Sequence, residues 1–104
     1  MSSSSGSTFD VEVASTRRAR RRGLLGRDGI DGALLLTRAR AVHTFGMRFD
    51  LDVAYLDGER RVLEVHRMRR WRIGRPRLGA RSVLEAEAGA FERWGLRVGD
   101  VVRC

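Results

Sequence analysis

The strongest constraint on this chain is a pair of alternating runs, 51–56 and 61–68, held apart by Asp57-Gly58. In the first run Leu51, Val53 and Tyr55 alternate with Asp52, Ala54 and Leu56, so both faces are almost wholly apolar. That pattern predicts a strand largely buried on both sides. In the second, Val62, Glu64, His66 and Met68 alternate with Leu63, Val65 and Arg67, which places Glu64 and His66 on one face. Asp-Gly between two such runs is a hairpin signal, because both residues tolerate the backbone of a tight turn.

The remaining segments extend this β framework. Phe9, Val11 and Val13 alternate with Asp10, Glu12 and Ala14, again at strand period. Ser15 or Thr16 offers an N-cap to a short basic helix over 17–22, which Gly23 or Gly26 ends. The apolar run 33–36 reads as a buried strand. In 82–88, Val83, Glu85 and Glu87 alternate with Leu84, Ala86 and Ala88, which predicts a half-buried strand. Residues 90–96 form a helical turn that presents Phe91 and Trp94 to the core, and Gly99-Asp100 leads into a last strand over 101–103. The expectation is a mainly-β domain, a small sandwich or barrel-like arrangement of six to seven short strands. The serine-rich 1–8 is expected to be a disordered tail, and 9–104 a single domain. A chain of this length buries roughly 65% of its unfolded surface, enough for one core.

Charge comes next. All 21 basic residues are arginine and the net charge is +8. Such an excess suits polyanionic partners. Five arginines fall within 17–22, but a two-turn helix is stable only when docked, and no aromatic residue lies among them to stack on bases. Seven more occupy 67–81, with Trp71 among them. Solvated surface is the favoured reading of both, with nucleic-acid binding through 67–81 as an alternative. The absence of lysine removes Schiff-base chemistry and the phosphate-loop lysine, and GRDGIDG (26–32) therefore reads as a turn cluster. Cys104 is the single cysteine, so no intramolecular disulfide forms. No apolar window is long enough for a membrane span, and MSSSSGS has no apolar core of a signal peptide, so a cytoplasmic location is expected.

RRRGLLGR, HTFGMRFDLDVAYLD, SVLEAEAG and WGLRVGD follow one another in this order. Together they resemble the small bacterial and archaeal family called domain of unknown function 192, over about 9–102. The resemblance implies a compact, mostly β domain of sandwich-like core and implies no activity. The family's common central motif is an aromatic-Met-Lys-Asn-Thr run followed by Ile-Pro-Leu-Asp. Leu51 and Asp52 match its end, whereas Asp50 stands where proline is usual, adding a charge and removing a rigid φ.

The 43–52 loop carries more polar chemistry than a connector requires. His43, Thr44, Met47, Arg48 and Asp52, with Glu85 or Arg22, are expected to line a small pocket for a ligand or a protein partner. His43, Asp50, Asp52 and His66 are weaker candidates as ligands to a divalent metal, because their spacing matches no standard site. Arg67, Arg69, Arg70, Trp71 and Arg72 form a candidate anion patch. There is no nucleophile elbow, and Cys104 sits at a chain end. The favoured expectation is a non-enzymatic binding domain without a cofactor; the alternative is a metal-dependent hydrolase using the same loop.

Overall fold

The computed structural model describes residues 9–44, 46–74 and 76–103. The expected tail over 1–8 and Cys104 lie outside the described residues. The chain is mainly β, with strands β1 (Val11–Ala14), β2 (Ala33–Thr37), β3 (Leu51–Leu56), β4 (Val62–Met68) and β5 (Ser82–Glu87). Two short helices accompany them, α1 (Arg17–Arg22) after β1 and α2 (Ala90–Trp94) after β5. All five strands join one sheet in the order β1-β2-β5-β3-β4. Only β1 and β2 are parallel, and α1 lies in the crossover that a parallel connection requires.

Six or seven strands were expected and five form among the described residues. The final stretch makes isolated bridges rather than a strand, at Val101 (to Arg61) and at Arg103; its backbone pairs briefly with Arg60 and Val62 after the turn closed by Asp100 N–H on the Arg97 carbonyl. The β3–β4 turn is also wider than an Asp-Gly dipeptide implies. Arg60 N–H donates to the Asp57 carbonyl at 3.0 Å, and Arg60 takes the left-handed conformation at φ 64°. Asp57 supplies its side chain instead, accepting from the N–H groups of Glu59 (2.8 Å) and Arg61 (2.9 Å). Those bonds hold its carboxyl below the ordinary aspartate range, the one from Arg61 contributing most.

Each face of the sheet has its own core. Phe9, Leu35, Leu56, Val62, Leu84 and Phe91 belong to one, which α2 and the chain's last segment cover. Leu24, Leu34, Met47, Val53, Tyr55 and Val83 belong to the other, which α1 and the loops over 38–50 and 69–81 cover. With cover on both sides, β3 is buried at every position, as its doubly apolar pattern predicts. The strand β5 overturns its expectation. It is central rather than half-buried, paired to β2 on one edge and β3 on the other, and its alternating carboxylates point into packed structure.

The helix α1 shows why a run of arginines folds here. Thr16 caps it by accepting from Ala19 N–H at 3.0 Å, and Gly23 N–H closes it on the Ala19 carbonyl. Arg20, Arg21 and Arg22 occupy its last turn, where cations complement the helix dipole. No α1 residue is buried, so docking depends on half-buried Ala19 and on Leu24, just beyond the helix end.

Candidate functional site

The least ordinary residue in the core is Glu85. It lies on β5 between Leu34 of β2 and Val53 of β3, on the face that α1 covers, and is 4% exposed. Strand alternation forces the placement: Val83 and Glu87 share that face, while Leu84 and Ala86 pack into the opposite core. The Leu24 backbone N–H donates to the carboxyl, yet Oε1 has no hydrogen-bond donor among the described residues. Burial therefore pushes the acid up to about 7, only partly offset by the Leu24 N–H. A carboxylate so placed destabilises the fold unless something further satisfies it.

Gly23 makes this geometry possible. Its φ of 51° suits glycine, and a Cβ there would stand 3.1 Å from Glu85 Oε1. The chain can thus leave α1 directly above the carboxyl and bring Leu24 N–H onto it. Beside Oε1 lies a small cavity of about 50 Å³, bordered by Arg20, Arg22, Leu36, Val42, His43 and Met47 as well as by Glu85. That space holds one or two waters or the tip of a small molecule.

The six residues expected to line one pocket divide between places. His43, Met47 and Glu85 border the cavity, and so does Arg22. Thr44 is buried and faces the 69–74 segment: its hydroxyl donates to the Arg69 carbonyl at 2.6 Å and accepts from Arg72 N–H at 2.8 Å. Trp71 N–H reaches the Thr44 carbonyl at 2.9 Å, so one threonine pins the whole arginine loop. Arg48 points outward to an exposed pair with Asp28 at 2.8 Å. Asp52 lies on the other face of the sheet. Its Oδ2 accepts from Gly89 N–H (2.9 Å) and Phe91 N–H (3.1 Å), and its Oδ1 from Arg67 Nε (3.2 Å). Asp52 thus caps α2 from a neighbouring strand, because Gly89 at the N-cap has no side chain to do so.

The metal candidates are held apart in the same way. Asp50 accepts from Arg70 N–H at 3.0 Å, so the residue that stands in for proline ties down the arginine loop. His66 contacts Glu64 at 2.9 Å, and Asp52 is engaged as above. Among the described residues no three His, Cys, Asp or Glu side chains gather to hold an ion.

The arginine patch is partly concave. Arg67, Arg69 and Arg72, joined by Arg77 and His66, line an open cleft of about 530 Å³ whose wall includes Tyr55. Arg77 lies over the Tyr55 ring at 4.8 Å from its centroid and bonds Glu64 at 3.1 Å. Arg70 turns toward Asp50 at 3.6 Å, and Trp71 is 61% exposed. Sequence reasoning missed Tyr55 and Arg77 here, and Gly23, Leu24 and Val42 around Glu85. The GLLG of RRRGLLGR was the one available signal for the latter group. Nothing local distinguishes the former.

Fold and site together define a small mainly-β domain that buries one carboxylate on its central strand beside a narrow, polar-rimmed cavity. The chain belongs to the domain of unknown function 192 family, whose model, described as an uncharacterised ACR, matches residues 1–104. A UPF0127 protein of Thermococcus gammatolerans is 37% identical over 98 residues, covering 88% of this chain and 64% of that protein. One from Thermococcus kodakarensis is 33% identical over 98 residues, covering 88% and 62%. The chain therefore spans somewhat less than two thirds of these relatives' length. Among solved structures, a protein of unknown function from Novosphingobium aromaticivorans superposes with a TM-score of 0.81 at 23% identity, covering 97% of this chain and 79% of that one. A Sinorhizobium meliloti structure, whose description proposes a transcription regulator, gives 0.80 at 25% identity, covering 94% and 84%. No helix among the described residues is long and apolar enough to cross a membrane.

Proposed function

We propose that this domain is a non-enzymatic binding module that takes a small ligand against Glu85, with the start of the 43–52 loop forming part of the pocket wall. The observation that carries the reading is the orphaned oxygen of buried Glu85 beside a cavity bordered by His43 and Met47. A buried polar atom without a partner calls for one, and a hydrogen-bond donor from a ligand would supply it. The cavity's small volume restricts what enters to an amino, amidino or amide tip. Arg20, Arg22 and His43 at its border favour a ligand whose remainder is anionic, so a compact zwitterion fits the charge arrangement best. An aqueous, cytoplasmic setting belongs to the same reading. Chemistry on the ligand is not part of it, since Glu85 has neither a nucleophile nor a second acid beside it among the described cavity residues.

The test is calorimetric titration at pH 8 with glycine, β-alanine, small amines and small amides. At least one should bind, and Glu85→Gln should weaken that binding about tenfold or more, equivalent to about 1.4 kcal/mol. His43→Ala should weaken it less. Binding unchanged in Glu85→Gln, or no binding by any of these compounds, would remove the basis of the reading.

A further inference from the structure

We infer that the layer covering the α1 side of the sheet is a docking surface for single-stranded nucleic acid, centred on the cleft between β4 and the 69–77 segment. The inference is independent of the Glu85 pocket and rests on where the fold puts charge.

Along the sequence the arginines look dispersed. In the fold, the described residues of the three connecting segments on this side, 15–32, 38–50 and 69–81, carry fourteen of the 21 arginines and three of the thirteen carboxylates. The strands add four glutamates to the same face: Glu12, Glu64, Glu85 and Glu87. With those counted, the excess on this side is +7 among the described residues, against a net charge of +8 for the whole chain. A compositional preference for arginine acts on every segment alike and would spread the excess over both sides. Segregation onto one layer is the footprint of a polyanion site.

The centre of that layer has the shape of a binding site. The cleft of about 530 Å³ is within the range of small-ligand sites, so it can take a nucleotide unit. Its arginines differ in their engagement. Arg67 borders the cleft with its guanidinium turned to Asp52 on the opposite face, and Arg77 is held by Glu64, which makes both of them edges of the cleft. Arg69 and Arg72 have no carboxylate partner among the described residues and border the same cleft. Between them Trp71, 61% exposed, is presented by a left-handed turn at φ 64°, and Ile73 beyond it is 70% exposed. Thr44 and Asp50 anchor this loop, so its arginines and indole stand on a braced backbone. Phosphate-directed guanidinium groups beside an exposed indole are the elements of single-strand binding, in which bases stack on the ring. A concave basic cleft favours a strand over a flat bilayer, and an indole at its rim favours unpaired bases over a duplex.

The experiment is fluorescence anisotropy with a labelled 20-mer of single-stranded DNA and one of RNA, repeated across a salt series. Binding should weaken as salt rises, with a log–log slope of about −3 if four arginines meet phosphates. Arg69→Glu with Arg72→Glu should weaken binding tenfold or more and flatten that slope. Arg93→Glu with Arg97→Glu makes the same change of net charge on the opposite layer and should leave binding within about twofold. Trp71→Ala should weaken binding about fivefold or more and abolish quenching of tryptophan emission on complex formation. An unchanged melting temperature for each variant separates these effects from unfolding. Equal loss from both charge-reversal pairs would show that net charge alone acts and would overturn the inference. So would duplex bound as tightly as single strand, binding to anionic lipid vesicles without binding to the oligonucleotides, or no binding at 100 mM salt.

Discussion

Glu85 ties stability to pH with a sign opposite to that of most carboxylates. Its folded pKa is pushed up to about 7 from the ordinary 4.5, chiefly by burial. Below about 4.5 the acid is protonated in both folded and unfolded chains and imposes no penalty. Between those values the folded chain holds a proton that the unfolded chain releases, so rising pH favours unfolding. Above about 7 the penalty is complete. A difference of about 2.5 pKa units corresponds to about 3 kcal/mol, an upper figure because Leu24 N–H and local relaxation already temper it. Glu85→Gln keeps the shape and removes the charge. It should match the parent at pH 4.5 and exceed its stability by up to about 3 kcal/mol at pH 8, or roughly 10 °C or more in melting temperature for a domain of this size. Urea unfolding of both proteins at pH 4.5, 6, 7 and 8, followed by tryptophan emission, measures this directly. The difference between the two curves cancels the other titrating groups they share. Parallel stabilities across the range would mean that Glu85 is already satisfied and carries no buried-charge penalty.

Three further outcomes follow from the geometry. Asp52→Ala strips the cap from α2 and leaves Gly89 N–H, Phe91 N–H and Arg67 without their shared partner, so it should cost about 2–4 kcal/mol in chemical denaturation. Thr44→Val preserves volume but orphans the part-buried Arg69 carbonyl and Arg72 N–H; a loss of about 1–2 kcal/mol and faster amide exchange over 69–74 are expected. Arg48→Ala removes only an exposed ion pair with Asp28 and should change stability by no more than about 0.5 kcal/mol, although Arg48 belongs to the same sequence motif as Thr44 and Asp52.

Thr44, Arg48 and Asp52 also show how far the candidate site was legible. They sit within nine residues of one another, and proximity along the chain suggests a shared site. The backbone instead sends Thr44 to the arginine loop, Arg48 to solvent and Asp52 through the sheet to α2. Of the loop's polar residues His43 alone reaches the Glu85 cavity, beside Met47. Glu85 stood out in the sequence as one of two carboxylates in an alternating strand and as a candidate partner of the 43–52 loop. Alternation records which residues share a face. It does not record whether that face is wet, and a central position for β5 made it dry.

Local rules were sufficient for the elements themselves. Period-two patterning located four of the strands and a continuous apolar run the fifth, β2, while Ser15 or Thr16 and Gly23 or Gly26 bracketed α1, of which Thr16 and Gly23 form the caps, because each signal depends on residues within a few positions of one another. Strand order, the burial of Glu85, the capping of α2 by Asp52 from 37 and 39 residues away and the gathering of arginine onto one layer were decided by the tertiary structure alone. Each depends on which distant segments pack together, and one-dimensional spacing carries no term for that.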